Sequence, residues 1–331
     1  MTQPPMETRQ GLLWKQQHLA PPAIPTGQSA QDLLNLIWRK NEIYLDIGSF
    51  AMSAGWITLH AMTFVFLISS LCISLSAPEN IQGNIDWLFH LIGPVPGLMI
   101  MGPLWYLFIR DWKKPLRPPL RFNRQRREVC VTEADGTSWF VPWECVHAIA
   151  PSVTNLGTYG AMQNGALIIW LPLKGEEHEP YHENKEGYVF MTNPGPGASA
   201  MAQWECIRSF MEVGPGSVPE PSPSPDWEGS FWGAVARSFI EAGKEKGWGY
   251  AVFVTGLVHF LIFNILTYAH IARKKLAVLP DLTIPEAIEW SKPLPPEQWA
   301  RRSPELAQDI AEREAELTTS DSPCIGTLQG Q

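Results

Sequence analysis

Three stretches of the chain are apolar over a length suited to a bilayer helix and contain no Asp, Glu, Lys or Arg: Ile47–Pro78, Trp87–Ile109 and Gly247–Ala272. About 20 helical residues cross a hydrocarbon core. The pattern therefore predicts transmembrane helices over 47–75 and 87–109, and a third apolar helix over 248–271. From Leu120 the period shortens. Leu120–Asn123, Arg127–Glu133, Thr137–Glu144, Asn164–Leu173 and Tyr188–Thr192 read as strands, with Asp135-Gly136 placed for a two-residue hairpin turn. Gly195-Pro196 then breaks the chain. Met201, Trp204, Ile207, Phe210 and Met211 follow at helical spacing over 198–213. Strands first and a closing helix last is an α+β order, in a domain of roughly 95 residues able to stand alone.

The remaining segments complete an organisation in eight parts. An N-terminal segment (1–46) precedes the two spans, and the β-rich domain takes 110–213. A Pro-rich linker covers 214–226, its alternating prolines keeping it extended. Next comes an amphipathic helix over 227–247, with Phe231, Trp232, Val235, Phe239 and Ile240 on one face. That face suits either the membrane interface or the central domain. The third apolar helix (248–271) leads into an acidic tail (272–331), in which Ser303-Pro304 opens a short helix to about Leu317.

Composition changes the picture in one respect. With 331 residues, 45% hydrophobic content, a net charge of -8 and a mean hydropathy of -0.08, the average resembles a soluble protein. The segregation of its charges excludes an ordinary cytosolic globule and points to an integral membrane protein. The N-terminus has no apolar h-region, so the first apolar run reads as an uncleaved span. Cysteines 72, 130, 145, 206 and 324 form no CxxC pair, which predicts reduced thiols rather than a disulfide framework or a zinc site.

Between Arg110 and Arg127 stand eight basic residues and one acid. By the positive-inside rule the N-terminus and the β-rich domain are cytoplasmic and the short loop between the spans is outside. Such cations set topology and meet anionic headgroups. Lipid headgroups or a protein partner, and not nucleic acid, are thus the expected ligands of Arg110, Lys113, Lys114, Arg117, Arg121, Arg124, Arg126 and Arg127. Arg121 and Arg127 have the spacing to share one face. The third segment conflicts with the rule, because Arg273, Lys274 and Lys275 follow it. Either it spans and leaves them outside, or it is re-entrant or buried against the first two helices.

The candidate chemistry is sparse. His178-Glu179-Pro180-Tyr181-His182 matches the HExxH zinc-protease spacing, and Glu205 stands where a third ligand would come. Pro180 disfavours the helix that motif needs, so a solvated hairpin loop is the better reading. His60, His259 and Asn264 are polar groups inside apolar segments, suited to hydrogen bonds between helices. There is no phosphate-binding loop, dinucleotide fingerprint or nucleophile elbow, and no cofactor is implied.

Two closely spaced helices, a basic exit, the run Arg121, Phe122, Asn123, Arg124, Arg127, a hairpin and the Pro142-Trp143-Glu144 turn resemble a family of bacterial membrane proteins of uncharacterised function. The similarity covers about residues 40–212. Members occur mainly in proteobacteria, often near type VI secretion genes. The resemblance implies a cytoplasmic domain of pleckstrin-homology type, a sheet closed by a C-terminal helix, in the inner membrane. It also implies a non-enzymatic role as an immunity or accessory protein with a secreted effector or secretion component as partner. An anionic-lipid-sensing module is the alternative, and a metalloprotease the minor one.

Overall fold

The computed structural model describes residues 7–19, 21–50, 52–76, 91, 94–157, 160–221 and 230–320. The chain forms two compact units, each built from separate stretches of sequence. A β unit comprises Met1–Ser49, Arg117–Ser222 and Pro280–Gln331, and a helical unit comprises Phe50–Leu116 and Pro223–Leu279.

The β unit contains two antiparallel sheets. The first runs β3 (Ile37–Lys40), β4 (Tyr44–Ile47), β5 (Leu120–Asn123), β6 (Glu128–Thr132), β7 (Ser138–Pro142) in spatial order. In the second, β1 (Thr8–Gln10), β2 (Trp14–His18), β8 (His147–Gly157), β10 (Leu167–Leu171) and β11 (Tyr188–Thr192) lie side by side. β9 (Gly160–Gly165) pairs with the far half of β8. Alternation sends Leu45, Ile47, Leu120, Phe122, Val129, Val131 and Val141 of the first sheet inward, to meet Ala148, Ala150, Leu167, Ile169 and Leu171 of the second. Helix α3 (Ala198–Glu212) closes this core with Trp204, Ile207, Phe210 and Met211. Trp143 stacks on Trp204 at 5.5 Å and meets Phe122 edge-on at 6.0 Å. The class is α+β.

Several expectations are corrected. The N-terminal segment supplies four strands. β4 pairs with β5 (Ile47 opposite Leu120, Tyr44 opposite Asn123), and β2 pairs with β8. Residues 110–213 thus supply only part of the sheets of the β unit. The β6–β7 connection is a three-residue loop, closed by Glu133 N–H donating to the Thr137 carbonyl at 2.9 Å. Gly136 there has a φ of 90, the left-handed position that a third loop residue needs. Part of the expected linker is packed: Val218 is buried, and Lys40 Nζ donates to the carbonyls of Pro215 and Val218 at 3.0 Å each. Residues 222–229 lie outside the described residues.

The acidic tail also belongs to the fold. Leu282, Ala287 and Trp290, the last two in α7 (Pro285–Trp290), pack with Cys130 and Phe140 on the outer face of the first sheet. Both faces of that sheet are thus covered, which accounts for the unbroken burial of β5. Ile310 of α8 (Pro304–Ser320) packs against Ala23 and Ile24. The last eleven residues, Cys324 included, lie outside the described residues.

In the helical unit, α1 (Ser53–Leu75) and α2 (Pro94–Trp112) are antiparallel. Gly55 faces Phe108 and Gly97 faces Phe66. The first apolar helix thus starts at Ser53, after β4 has taken Ile47. Of the second, residues 87–90 and 92–93 lie outside the described residues. Helix α4 (Phe231–Lys246) is N-capped by Ser230, whose Oγ accepts from Gly233 N–H at 3.2 Å. It packs on α5 (Trp248–Ile262).

The third apolar helix is not continuous. Ala251–Ile262 is wound as a π-helix, Asn264 takes a left-handed φ of 51, and α6 (Ile265–Leu276) leaves at 58° to α5. Neither Pro nor Gly makes this break; a single Asn, tolerant of left-handed φ, does. Among the described residues, α1 is long and apolar enough to cross a membrane, and the bent pair α5–α6 is a second candidate.

Candidate functional site

The eight cations of the basic run divide into exposed, half-buried and internal groups, Arg124 and Arg126 being half-buried. Arg110, Lys113, Lys114 and Arg117 are exposed. Arg121 and Arg127, with side chains 4% and 7% exposed, are internal. Arg121 makes a two-pronged pair with Asp46, Nε to Oδ1 at 2.6 Å and Nη2 to Oδ2 at 2.7 Å. It also reaches Asp281 at 2.7 Å and Ser291 Oγ at 3.0 Å, and its guanidinium lies 3.8 Å from the Tyr44 ring centre. Arg127 takes a left-handed φ of 52 at the end of the β5–β6 turn. From there it donates to Glu144 at 2.7 Å and to both oxygens of Glu212 at 2.8 and 3.1 Å. Trp143 Nε1 donates to the same Glu212 at 2.8 Å. Arg121 and Arg127 do not share a free face, and neither is available to a headgroup.

The motif around them holds the chain's own C-terminal segment. Asn123 Oδ1 accepts from the backbone N–H of Gln125 and Arg126 at 3.0 and 3.2 Å, which shapes the turn. Asn123 Nδ2 and Arg126 Nε both donate to the Trp290 carbonyl, at 3.1 and 2.9 Å. Gln125 accepts from Leu294 N–H through its side chain and from Ala300 N–H through its backbone. Trp290 Nε1 donates to Glu128 at 2.6 Å, and Arg124 lies 5.5 Å from the Trp299 ring centre. Phe122 and Trp143 are core residues, Pro142 ends β7, and Glu144 anchors Arg127. This stretch is a clamp for residues 281–300, a role its sequence did not disclose.

His178 and His182 lie exposed in the loop joining β10 to β11, with no helix to align them. Glu205 is on α3 and buried. It accepts from Thr26 N–H and Oγ1, Arg208 Nε and Ser209 Oγ, which ties the N-terminal segment to the helix. The zinc-protease arrangement is thus not assembled.

What the loop delivers is Tyr181. Its ring stacks on His147 at 4.1 Å, and His147 Nε2 lies 3.0 Å from His18 Nδ1, a hydrogen bond requiring one ring nitrogen to carry the proton. Burial pushes His147 down to about 4, with the neighbouring His18 adding to the effect. Burial, then the charge of Arg9, also lowers His18. Because the folded state holds these imidazoles neutral, the unfolded chain takes up protons first as pH falls. The contribution of His147 to stability is present above pH 6.5 and is lost as pH falls toward 4. We expect the β unit to lose about 2 kcal/mol between pH 7 and pH 5 from His147 alone. Urea midpoints at the two pH values should show it, and His147→Gln should shrink it; an unchanged loss in that variant would refute the assignment.

Burial also pushes the Cys130 and Cys206 thiols up, to about 11 and about 12. Both stay protonated at neutral pH and are poor nucleophiles.

Of the polar groups in the apolar segments, His60 and Asn264 come together: Nε2 and Nδ2 lie at 3.5 Å, the long limit of a hydrogen bond. Trp56 Nε1 donates to the Asn264 carbonyl at 3.0 Å, and the His60 ring lies against Trp56 and Trp105 at 4.6 and 4.8 Å. His259, on α5, is not part of this cluster. The side chains of Trp56 and His60 thus secure the break in the third helix.

One surface had no sequence signal. β8 and β9 continue beyond the second sheet as a two-stranded arm, with Val153, Leu156 and Met162 46%, 72% and 64% exposed. Leu12, Leu13 and Trp14, also exposed, adjoin it: Trp14 is opposite Val153, and Thr154 N–H donates to the Leu13 carbonyl at 2.7 Å. No Asp, Glu, Lys or Arg occurs from Cys145 to Leu173.

The fold and these sites define an α+β protein with two antiparallel sheets and, among the described residues, eight helices, of which one or two are apolar enough to span a membrane. No protein-family model, curated protein or solved structure matches the chain.

Proposed function

We propose that this is a non-enzymatic protein of the bacterial inner membrane that presents its β unit, on the cytoplasmic side, to a protein partner. The observation that carries the reading is the charge-free apolar arm. Exposed apolar surface is costly to keep in water unless something covers it, and β9 pairs only with β8 among the described residues, which leaves an edge for a partner strand. The resemblance to proteins found near type VI secretion genes makes a secreted effector the partner of choice. The role is then immunity or an accessory to secretion. An immunity protein against a membrane-acting toxin has to reside in the attacked bilayer.

The membrane part rests on the apolar surface of the helical unit, where Val65, Leu67, Leu71, Leu98, Met99 and Leu107 are all exposed. Both excursions into that unit start from the β unit and return to it. Each therefore crosses the bilayer an even number of times. The third apolar segment, bent at Asn264, does not cross alone, and Arg273–Lys275 stay on the cytoplasmic side. This arrangement would accord with the positive-inside rule.

Copurification of the tagged chain with the products of neighbouring genes tests the reading. One stoichiometric partner is expected, with binding weakened about 10-fold or more by Leu156→Asp with Met162→Asp. A deletion strain as resistant to sister-cell killing as its parent would remove the immunity role. Undiminished capture by the arm variant would remove the arm.

A further inference from the structure

We propose that the basic ends of α2 and α6 together form one binding surface for the headgroups of anionic phospholipids. It rests on the membrane reading above and adds to it a specific ligand and a second set of residues. The two ends are about 160 residues apart in sequence and are joined by Lys275. Its Nζ donates to the Trp112 carbonyl and, at 2.7 Å, to the Lys114 carbonyl. A lysine there satisfies carbonyls that the end of α2 leaves without intrahelical donors and opposes the negative end of its dipole. The contact joins the end of α6 that carries Arg273, Lys274 and Lys275 to the end of α2 that Arg110, Lys113 and Lys114 flank.

The six cations are met, among the described residues, by the acid Asp111, which lies 2.5 Å from Lys114. Arg110, Lys113 and Lys274 are exposed and pair with no acid among the described residues. Such an excess of one sign is self-repelling and calls for a counter-charge from outside the chain.

The neighbouring residues say what that charge is. Each basic group stands at the end of an apolar stretch, and the last turns of α2 carry Tyr106 and Trp112, side chains of the kind that settle at headgroup depth. Cations at that depth meet lipid phosphates before any soluble polyanion. Four of the cations in the original basic run are spent inside the β unit or on its C-terminal segment, and α6 supplies replacements from a distant part of the sequence.

The test uses the full chain, extracted in mild detergent, stripped of lipid and titrated with phosphatidylglycerol or phosphatidylcholine of matched acyl chains. Bound lipids are counted by native mass spectrometry. Phosphatidylglycerol is expected to bind and phosphatidylcholine to bind at least 10-fold more weakly. Lys113→Gln with Lys274→Gln should weaken phosphatidylglycerol about 30-fold, at about fivefold per cation, and Lys274→Gln alone about fivefold. Equal binding of the two lipids, or variants that bind phosphatidylglycerol like the parent, would overturn the proposal. Recovery of the chain in the soluble fraction before extraction would instead overturn the membrane reading beneath it.

Discussion

Residues 120–212 expressed alone are expected not to fold. They include the basic motif, seven strands and the closing helix, yet β5 would lack β4, its neighbour on one side, and β8 would lack β2. Without β4, Leu45 and Ile47, both fully buried, leave the core, a loss of about 2–5 kcal/mol for each large aliphatic side chain. Without residues 280–300 the outer face of the first sheet is bare. The two side chains alone, at about 4–10 kcal/mol together, use up most of the margin of about 5–15 kcal/mol that a domain commands, and the bare outer face adds to the loss. A chain that keeps 7–49, 117–221 and 280–320, with a short turn in place of 50–116 and a flexible linker in place of 222–279, is expected to fold as a soluble β unit. Circular dichroism and urea unfolding decide it: cooperative unfolding of 120–212 alone would refute the three-part assembly.

Removing the Asp46 carboxylate should give the largest single-residue effect. Asp46 is fully buried and Arg121 nearly so. Asp46→Ala leaves a guanidinium buried beside an empty space, at a cost of about 3–5 kcal/mol. Asp46→Asn, similar in shape but uncharged, should cost nearly as much. Replacing the pair together, Asp46→Leu with Arg121→Met, should recover most of the loss, because two apolar groups carry no desolvation penalty. Arg121 also reaches Asp281 and Ser291, so the single variants should make residues 280–302 more sensitive to protease. A loss below about 1 kcal/mol in Asp46→Asn would show that the pair is dispensable.

What the sequence disclosed follows from where its periodicity is strong. β6, β7, β10 and β11 alternate or run apolar, α3 keeps helical spacing, and α1 is apolar throughout. The N-terminal strands escaped notice because β1 and β2, TRQ and WKQQH, are short and polar, and β2 is defined by pairing with β1 and with the distant β8. β8 and β9 were hidden by Pro151 and by glycines and asparagines that normally mark loops. The motif residues Arg121, Asn123 and Arg127 were singled out, but their use was not legible. Asp46 is 75 residues from Arg121 and Glu212 is 85 from Arg127, and charge alone does not say which acid a cation meets. Asn264 stood out as polar, whereas the break it makes depends on a backbone conformation that only the packed helices select.

The interleaving of the two units sets the order in which the protein is finished. A ribosome adds about 5–20 residues per second, so β4 leaves it roughly 4–15 s before β5, with both apolar helices made in between. During that interval β4 has β3 on one side and an open edge on the other, and β5 reaches that edge only after both apolar helices have been made. The segment from Pro280 onward emerges last and covers the first sheet only after α5 and α6 have been placed. A β unit that lacks its later segments keeps an open edge at β4 and a bare outer face on its first sheet.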